Sequence, residues 1–113
     1  MVDISRGEIW LLDLNPTLGR EQAGTRPALV ISHNIFNQSH AELVIVVPIT
    51  SHDRRIRSHV RIEKGEGGLT VESFAKCEDV RSVSKSRFIK KYGRVSQETV
   101  KAVEQRLRFL MAL

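Results

Sequence analysis

The longest apolar run in the chain, Leu43 to Ile49, spans only seven residues and consists mostly of β-branched side chains. A helix needs roughly 20 apolar residues to cross a bilayer, so no membrane role is expected of this run, and its composition suits a buried central strand. The apolar stretches before residue 95 are all this short, and Gly, Pro, Asn, Asp or Ser bound them. The chain is therefore predicted to build a sheet from many brief strands.

Arg6-Gly7 opens the first strand, predicted over Glu8 to Leu14, which Asn15-Pro16-Thr17 breaks; a polar, glycine-containing loop continues through Thr25. A second strand is predicted over Pro27 to Ser32, and the third over Leu43 to Val47. Pro48 lacks a backbone donor, so a bulge or strand end is expected there. His59 to Glu63 alternates polar and apolar as a half-exposed strand does, and Gly65, Gly67 and Gly68 then form a turn. Val71 to Cys77 and Val80 to Val83 are further strands, separated by Glu78-Asp79.

After Ser96 the hydrophobic period changes. Ser96 is suited to cap a helix, Glu98 complements the dipole of its first turn, and Val100, Val103, Leu107, Leu110 and Met111 share one face. Phe109 lies nearly opposite, beside Ala102 and Leu113; it either folds back onto the sheet from a frayed helix end or, the reading preferred, marks a second buried face against a partner subunit. The expected fold class is mainly β with a C-terminal helix, a small and strongly bent antiparallel barrel forming a single domain over residues 1–113.

Lys and Arg outnumber Asp and Glu by 18 to 13, and the excess is clustered. Val80 to Gln97 holds Arg81, Lys85, Arg87, Lys90, Lys91 and Arg94 without one acidic residue. Arg54, Arg55, Arg57, Arg61 and Lys64 form a second cluster. Such clustering favours a polyanion partner held through phosphates; the alternative is a solvated basic face. A lone cysteine, Cys77, excludes an internal disulfide and suits a reducing compartment, and the first residues lack a secretion signal. A cytoplasmic location is expected.

P-loop, HExxH, paired CxxC and GxSxG signatures are absent. His33 and His40, and His52 and His59, are seven residues apart, a spacing diagnostic of neither a metal site nor an acid–base couple; they are read as surface residues, and Cys77 as core. No metal and no cofactor are expected. The segment from Asn15 to Arg26 stands out, because Pro27 fixes the chain direction directly after Arg26. An arginine anchored at a strand start is well placed to meet a phosphate. If the strands holding Arg26 and Leu43–Val47 are neighbours, Arg26 reaches the same cleft as Thr50 and Ser51.

The stretches Arg6-Gly7-Glu8-Ile9-Trp10 and Leu14-Asn15-Pro16-Thr17-Leu18-Gly19-Arg20-Glu21-Gln22-Ala23-Gly24-Thr25-Arg26-Pro27, with Val46-Val47-Pro48-Ile49-Thr50-Ser51 and Cys77-Glu78-Asp79-Val80-Arg81, resemble the MazF/PemK (Kid) toxins of type II toxin–antitoxin systems over nearly the whole chain. The resemblance implies an SH3-like barrel of five to seven strands, acting as a homodimer. It also implies a sequence-selective endoribonuclease, an mRNA interferase that a MazE-like antitoxin neutralises. Arg26 would be the main catalytic residue, Thr50 its partner and Glu21 a supporting carboxylate. Single-stranded RNA would be held by Arg20, Gln22, Ser51, Arg54, Arg55, Arg81 and Lys85. Glu78-Asp79 stands where the family commonly has an acidic residue or Glu followed by Gln, and no binding role is assigned there.

Two other readings stand beside this one. A CcdB-like gyrase poison shares the fold, but its contact with gyrase depends on a Trp-containing C-terminal tail, whereas this chain ends Phe109-Leu110-Met111-Ala112-Leu113 and its one Trp is Trp10. The other is a basic RNA-binding module without cleavage activity.

Overall fold

The computed structural model describes residues 3–14 and 24–113. The expected strands form, with small shifts at their ends: β1 Glu8–Asp13, β2 Thr25–Val30, β3 Leu43–Thr50, β4 His59–Ile62, β5 Ser73–Lys76 and β6 Arg81–Ser84. The seventh strand, β7 Phe88–Arg94, lies in the basic stretch that sequence patterning left unassigned. A short helix, α1 Asn34–Asn37, precedes β3, and α2 Gln97–Met111 closes the chain.

All pairings are antiparallel, in the order β4-β5-β3-β2-β1-β7, with β6 alongside the first half of β3. This path is open, because β4 and β7 do not pair. The gap is bridged by a 3-10 turn, Glu66–Gly68, which packs on β7. That approach demands glycine. A Cβ on Gly68 would lie 2.1 Å from the Tyr92 carbonyl oxygen, and one on Gly93 would lie 2.8 Å from the Gly67 carbonyl carbon.

Pro48 neither ends β3 nor bulges it. The strand runs on to Thr50, with Pro48 opposite Ala28 of β2. On its other edge β3 pairs β6 through Val46 and β5 from Ile49, so Pro48 lies where that edge changes partner and a missing donor costs no ladder bond there.

Period-two alternation divides the central strands between two buried clusters. Ile9, Leu29, Val47 and Ile49 face one way, with Val60, Ile62, Ala75 and Cys77. Trp10, Leu12, Ala28, Val30, Val44 and Val46 face the other, with Val83 and Phe88. Burial on both faces is why these strands read as near-continuous apolar runs. α2 covers the first cluster through Val103, Val100 and Leu107. Its N-terminus is held by Ser96, whose Oγ accepts from the Thr99 N–H, as expected of a cap. Phe109 and Leu113 are 83% and 80% exposed at its far end, whereas Ala102 packs against the first cluster, so of the second face expected only that end stands open in the protomer. No helix among the described residues is long and apolar enough to cross a membrane.

Candidate functional site

The antiparallel register brings the two main candidates together. β2 and β3 pair Val30 with Val46, Leu29 with Val47 and Ala28 with Pro48. The pairing stops there; carried two residues further, the same register would set Arg26 opposite Thr50. Directly opposed residues of an antiparallel pair share a face, with Cβ atoms about 5 Å apart. Arg26 also lies opposite Leu12 of β1, and Thr50 lies opposite Phe74 of β5, itself opposite Arg61 of β4. One row therefore crosses the sheet from Leu12 through Arg26, Thr50 and Phe74 to Arg61. Leu12 and Phe74 are buried, Thr50 is half-buried, and Arg26 and Arg61 are exposed. No carboxylate among the described residues pairs with Arg26, whereas Arg61 is tied to Glu72 at 2.5 Å.

Thr50 is oriented by its own backbone. Its Oγ1 accepts the His52 N–H at 3.1 Å, which leaves the hydroxyl proton to donate elsewhere. Ser51, Arg54 and Arg55 follow directly in the exposed segment that joins β3 to β4. Within it, Asp53 Oδ1 accepts the Arg55 N–H at 2.9 Å, and Arg55 takes φ 53°. This closes a tight turn that presents consecutive cations.

The remaining basic candidates are spread out. Arg81 lies opposite Val46 and so shares the Arg26–Thr50 face, four residues or about 13 Å along β3. The Lys85 N–H bonds the Glu42 carbonyl just before β3, about 26 Å from Thr50 at the strand's other end. Arg20, Glu21 and Gln22 lie outside the described residues.

Sequence reasoning did not assign two further groups, of which Lys76 belongs to this face. Lys76 sits two residues from Phe74 on β5, opposite His59, with its Nζ 2.9 Å from Asp79 Oδ2. Alternation along 73–76 was the available signal, but only the β3–β5 register shows which face it serves. The second group is a cluster around Glu78. His59 is not the surface histidine expected, because its side chain is only 3% exposed. Its Nε2–H donates to Glu78 Oε2 at 2.7 Å, and the Ser58 hydroxyl donates to Glu78 Oε1 at 2.6 Å. Burial pushes the Glu78 carboxyl up, but the bonds from Ser58, its own backbone and His59 outweigh it and hold the group below the usual carboxylate range. Cys77 is core as expected, and burial pushes its thiol up to about 11.

Comparison with known proteins gives this geometry its context. The family model for PemK-like, MazF-like toxins of type II toxin–antitoxin systems matches residues 5–111. The endoribonuclease EndoA of Bacillus subtilis (strain 168) is 30% identical over 111 residues, covering 97% of this chain and 96% of the relative. MazF of Deinococcus radiodurans shares the fold with a TM-score of 0.87 at 24% identity, over all of both chains. An endoribonuclease from a mycobacterial species, solved with its cognate antitoxin, does so with a TM-score of 0.79 at 21% identity, over 100% of this chain and 97% of that one. By class, then, this is a small β-sheet toxin of a type II toxin–antitoxin system. Within that class the chain belongs to the PemK-like, MazF-like family.

Proposed function

We propose that this toxin is an endoribonuclease that cuts single-stranded RNA at preferred sequences by internal attack of a ribose 2′-hydroxyl on the adjacent phosphate. The 2′-oxygen bonds to phosphorus as its proton is removed, the bond from phosphorus to the 5′-oxygen breaks, and that oxygen takes up a proton. The products are a 2′,3′-cyclic phosphate and a 5′-hydroxyl. Because the nucleophile belongs to the RNA, the reaction requires no metal-bound water and DNA is not a substrate.

The observation that carries this reading is the β2–β3 register, whose continuation sets the exposed Arg26 opposite a threonine whose hydroxyl is already oriented. Arg26 meets the two non-bridging oxygens with its guanidinium fork and stabilises the charge that builds on them. Thr50 donates to one of the same oxygens and holds the phosphate in line. Glu21 is the candidate base or the group that orients Arg26. Ser51, Arg54 and Arg55 take the neighbouring phosphates, and Arg81 takes those further along the same face. In-line attack needs a splayed backbone, which ties the reaction to single strands.

EndoA is named as an endoribonuclease, and the Deinococcus MazF has been solved with MazE. By the same logic a MazE-like antitoxin inhibits this toxin, with an acidic segment lying across the basic face and competing for Arg26. The exposed apolar end of α2 supports a homodimer, and the expected compartment is the cytoplasm. Trp10, which a gyrase-directed reading would need at a free surface, is buried in β1 with its indole N–H bonded to Glu8.

The test is incubation with long single-stranded RNA in excess EDTA, beside Arg26→Ala, with fragment ends mapped. Discrete cuts ending in cyclic phosphates are expected, with the variant slower by about 1,000-fold. Intact RNA across varied sequences would sink the reading.

A further inference from the structure

The segment between β3 and β4 starts at Thr50, carries Ser51, Arg54 and Arg55, and is exposed from Ser51 to Arg57. Its beginning is set by β3 and by the His52 N–H on Thr50. Its end is set from two other elements. Glu78, in the turn after β5, accepts from both Ser58 and His59, and Arg106 of α2 donates its Nε–H to the Arg57 carbonyl at 2.8 Å. We propose that Glu78 and Arg106 are positioning residues for RNA: they fix the far end of this segment and so hold its cations where phosphates flanking the Arg26–Thr50 pair must pass. The inference rests on the ribonuclease reading.

Glu78 bears more of this than its place on the surface suggests. The buried His59 has one nitrogen on Glu78, while its Nδ1 has no hydrogen-bond partner among the described residues. Without Glu78 both ring nitrogens are left unmet in a buried site, which the fold relieves by releasing His59 and the residues before it. Glu78→Gln keeps an acceptor for Ser58 and a donor for His59 in its other tautomer, so it preserves the tie without the charge. Arg106→Ala removes the second tie from a different element. Neither Glu78 nor Arg106 belongs to the row through Arg26 and Thr50, so their effect is expected in binding.

The experiment pairs RNA kinetics with limited trypsin digestion, for which Arg54, Arg55 and Arg57 are built-in cleavage points. Glu78→Ala is expected to raise KM for a short cleavable oligonucleotide by about tenfold, with kcat within twofold of wild type, and to speed nicking after these arginines. Arg106→Ala should move both readouts the same way, and Glu78→Gln should return them close to wild type. Unchanged nicking, or faster nicking with unchanged KM, overturns the proposal while leaving the ribonuclease reading intact. A loss confined to kcat overturns it too. If the wild-type toxin leaves every RNA intact, it is the ribonuclease reading that has failed, and this inference falls with it.

Discussion

At the scale of single residues, the two polar groups most constrained by their surroundings do different work. The Thr50 hydroxyl is aimed by the His52 N–H, so its chemistry depends on the oxygen rather than on side-chain bulk. Thr50→Ser keeps that oxygen and should cleave within about threefold of wild type. Thr50→Val keeps the shape but loses the donor, and should slow turnover by about 100-fold; equal rates for the two variants would remove the hydroxyl from the mechanism. Glu8 is structural. Its Oε1 accepts from the Trp10 indole at 3.0 Å and the Ser5 N–H at 2.8 Å, and Lys91 and Arg94 each approach Oε2 at 3.4 Å. Burial alone would raise its pKa, but the Trp10 and Ser5 bonds and Lys91 together hold it below 4.5. A carboxylate more acidic in the folded state stabilises fully above the unfolded value, and that stability is lost as pH falls through the folded one. Glu8→Gln should therefore melt below wild type at pH 7, with the gap narrowing as pH is lowered past 4.5. A gap constant from pH 7 to pH 3 would show that the charge contributes nothing.

At the scale of elements, the start of α2 is tied by one side chain from a turn far away in sequence. Glu66 Oε2 accepts from the Ser96 N–H at 3.0 Å, the Ser96 hydroxyl at 3.2 Å and the Thr99 hydroxyl at 2.6 Å. It thus satisfies donors at the helix start and places a negative charge at the positive end of the dipole. Glu66→Ala should cost about 1–2 kcal/mol, seen as a melting temperature lower by roughly 5–10 °C, while Glu66→Gln retains part of that. Ser96 and the helical period were legible in sequence because they are local. The Glu66 cap was not, since it closes over 30 residues. The same division runs through the sheet. β1 through β6 announce themselves by apolar runs or alternation between turn residues, whereas β7 is an edge strand paired, among the described residues, with β1 alone, exposed over most of its length and rich in lysine. Such strands resist pairing with other chains, and they read as charge rather than as structure. Pro48 misleads for a related reason, because its tolerance depends on which strands flank β3. Arg26 and Thr50 were legible as candidates for one cleft on the condition that β2 and β3 are neighbours, and those strands do pair. Lys76 required the β3–β5 register and the Glu78 cluster the approach of Ser58 and His59 to the turn after β5, which no local pattern encodes.

At the scale of the whole molecule, the net charge of +5 matters less than its arrangement. Arg26, Arg54, Arg55 and Arg81 belong to the Arg26–Thr50 face or the segment leading from it, and Lys85 stands at the far end of β3. If bound RNA runs along this face, each phosphate contact releases counterions, and log K falls with log salt by about 0.7 per contact for a single strand. Binding of an oligonucleotide carrying a deoxyribose at the scissile position reads this without cleavage. Arg54→Ala and Arg55→Ala should each flatten the slope by about 0.7 for a short oligonucleotide confined to the Arg26–Thr50 end. Lys85→Ala should leave that slope unchanged and flatten it only for RNA long enough to cover the roughly 26 Å to the other end. A Lys85 effect on the short oligonucleotide would mean that RNA does not track along β3 from Thr50.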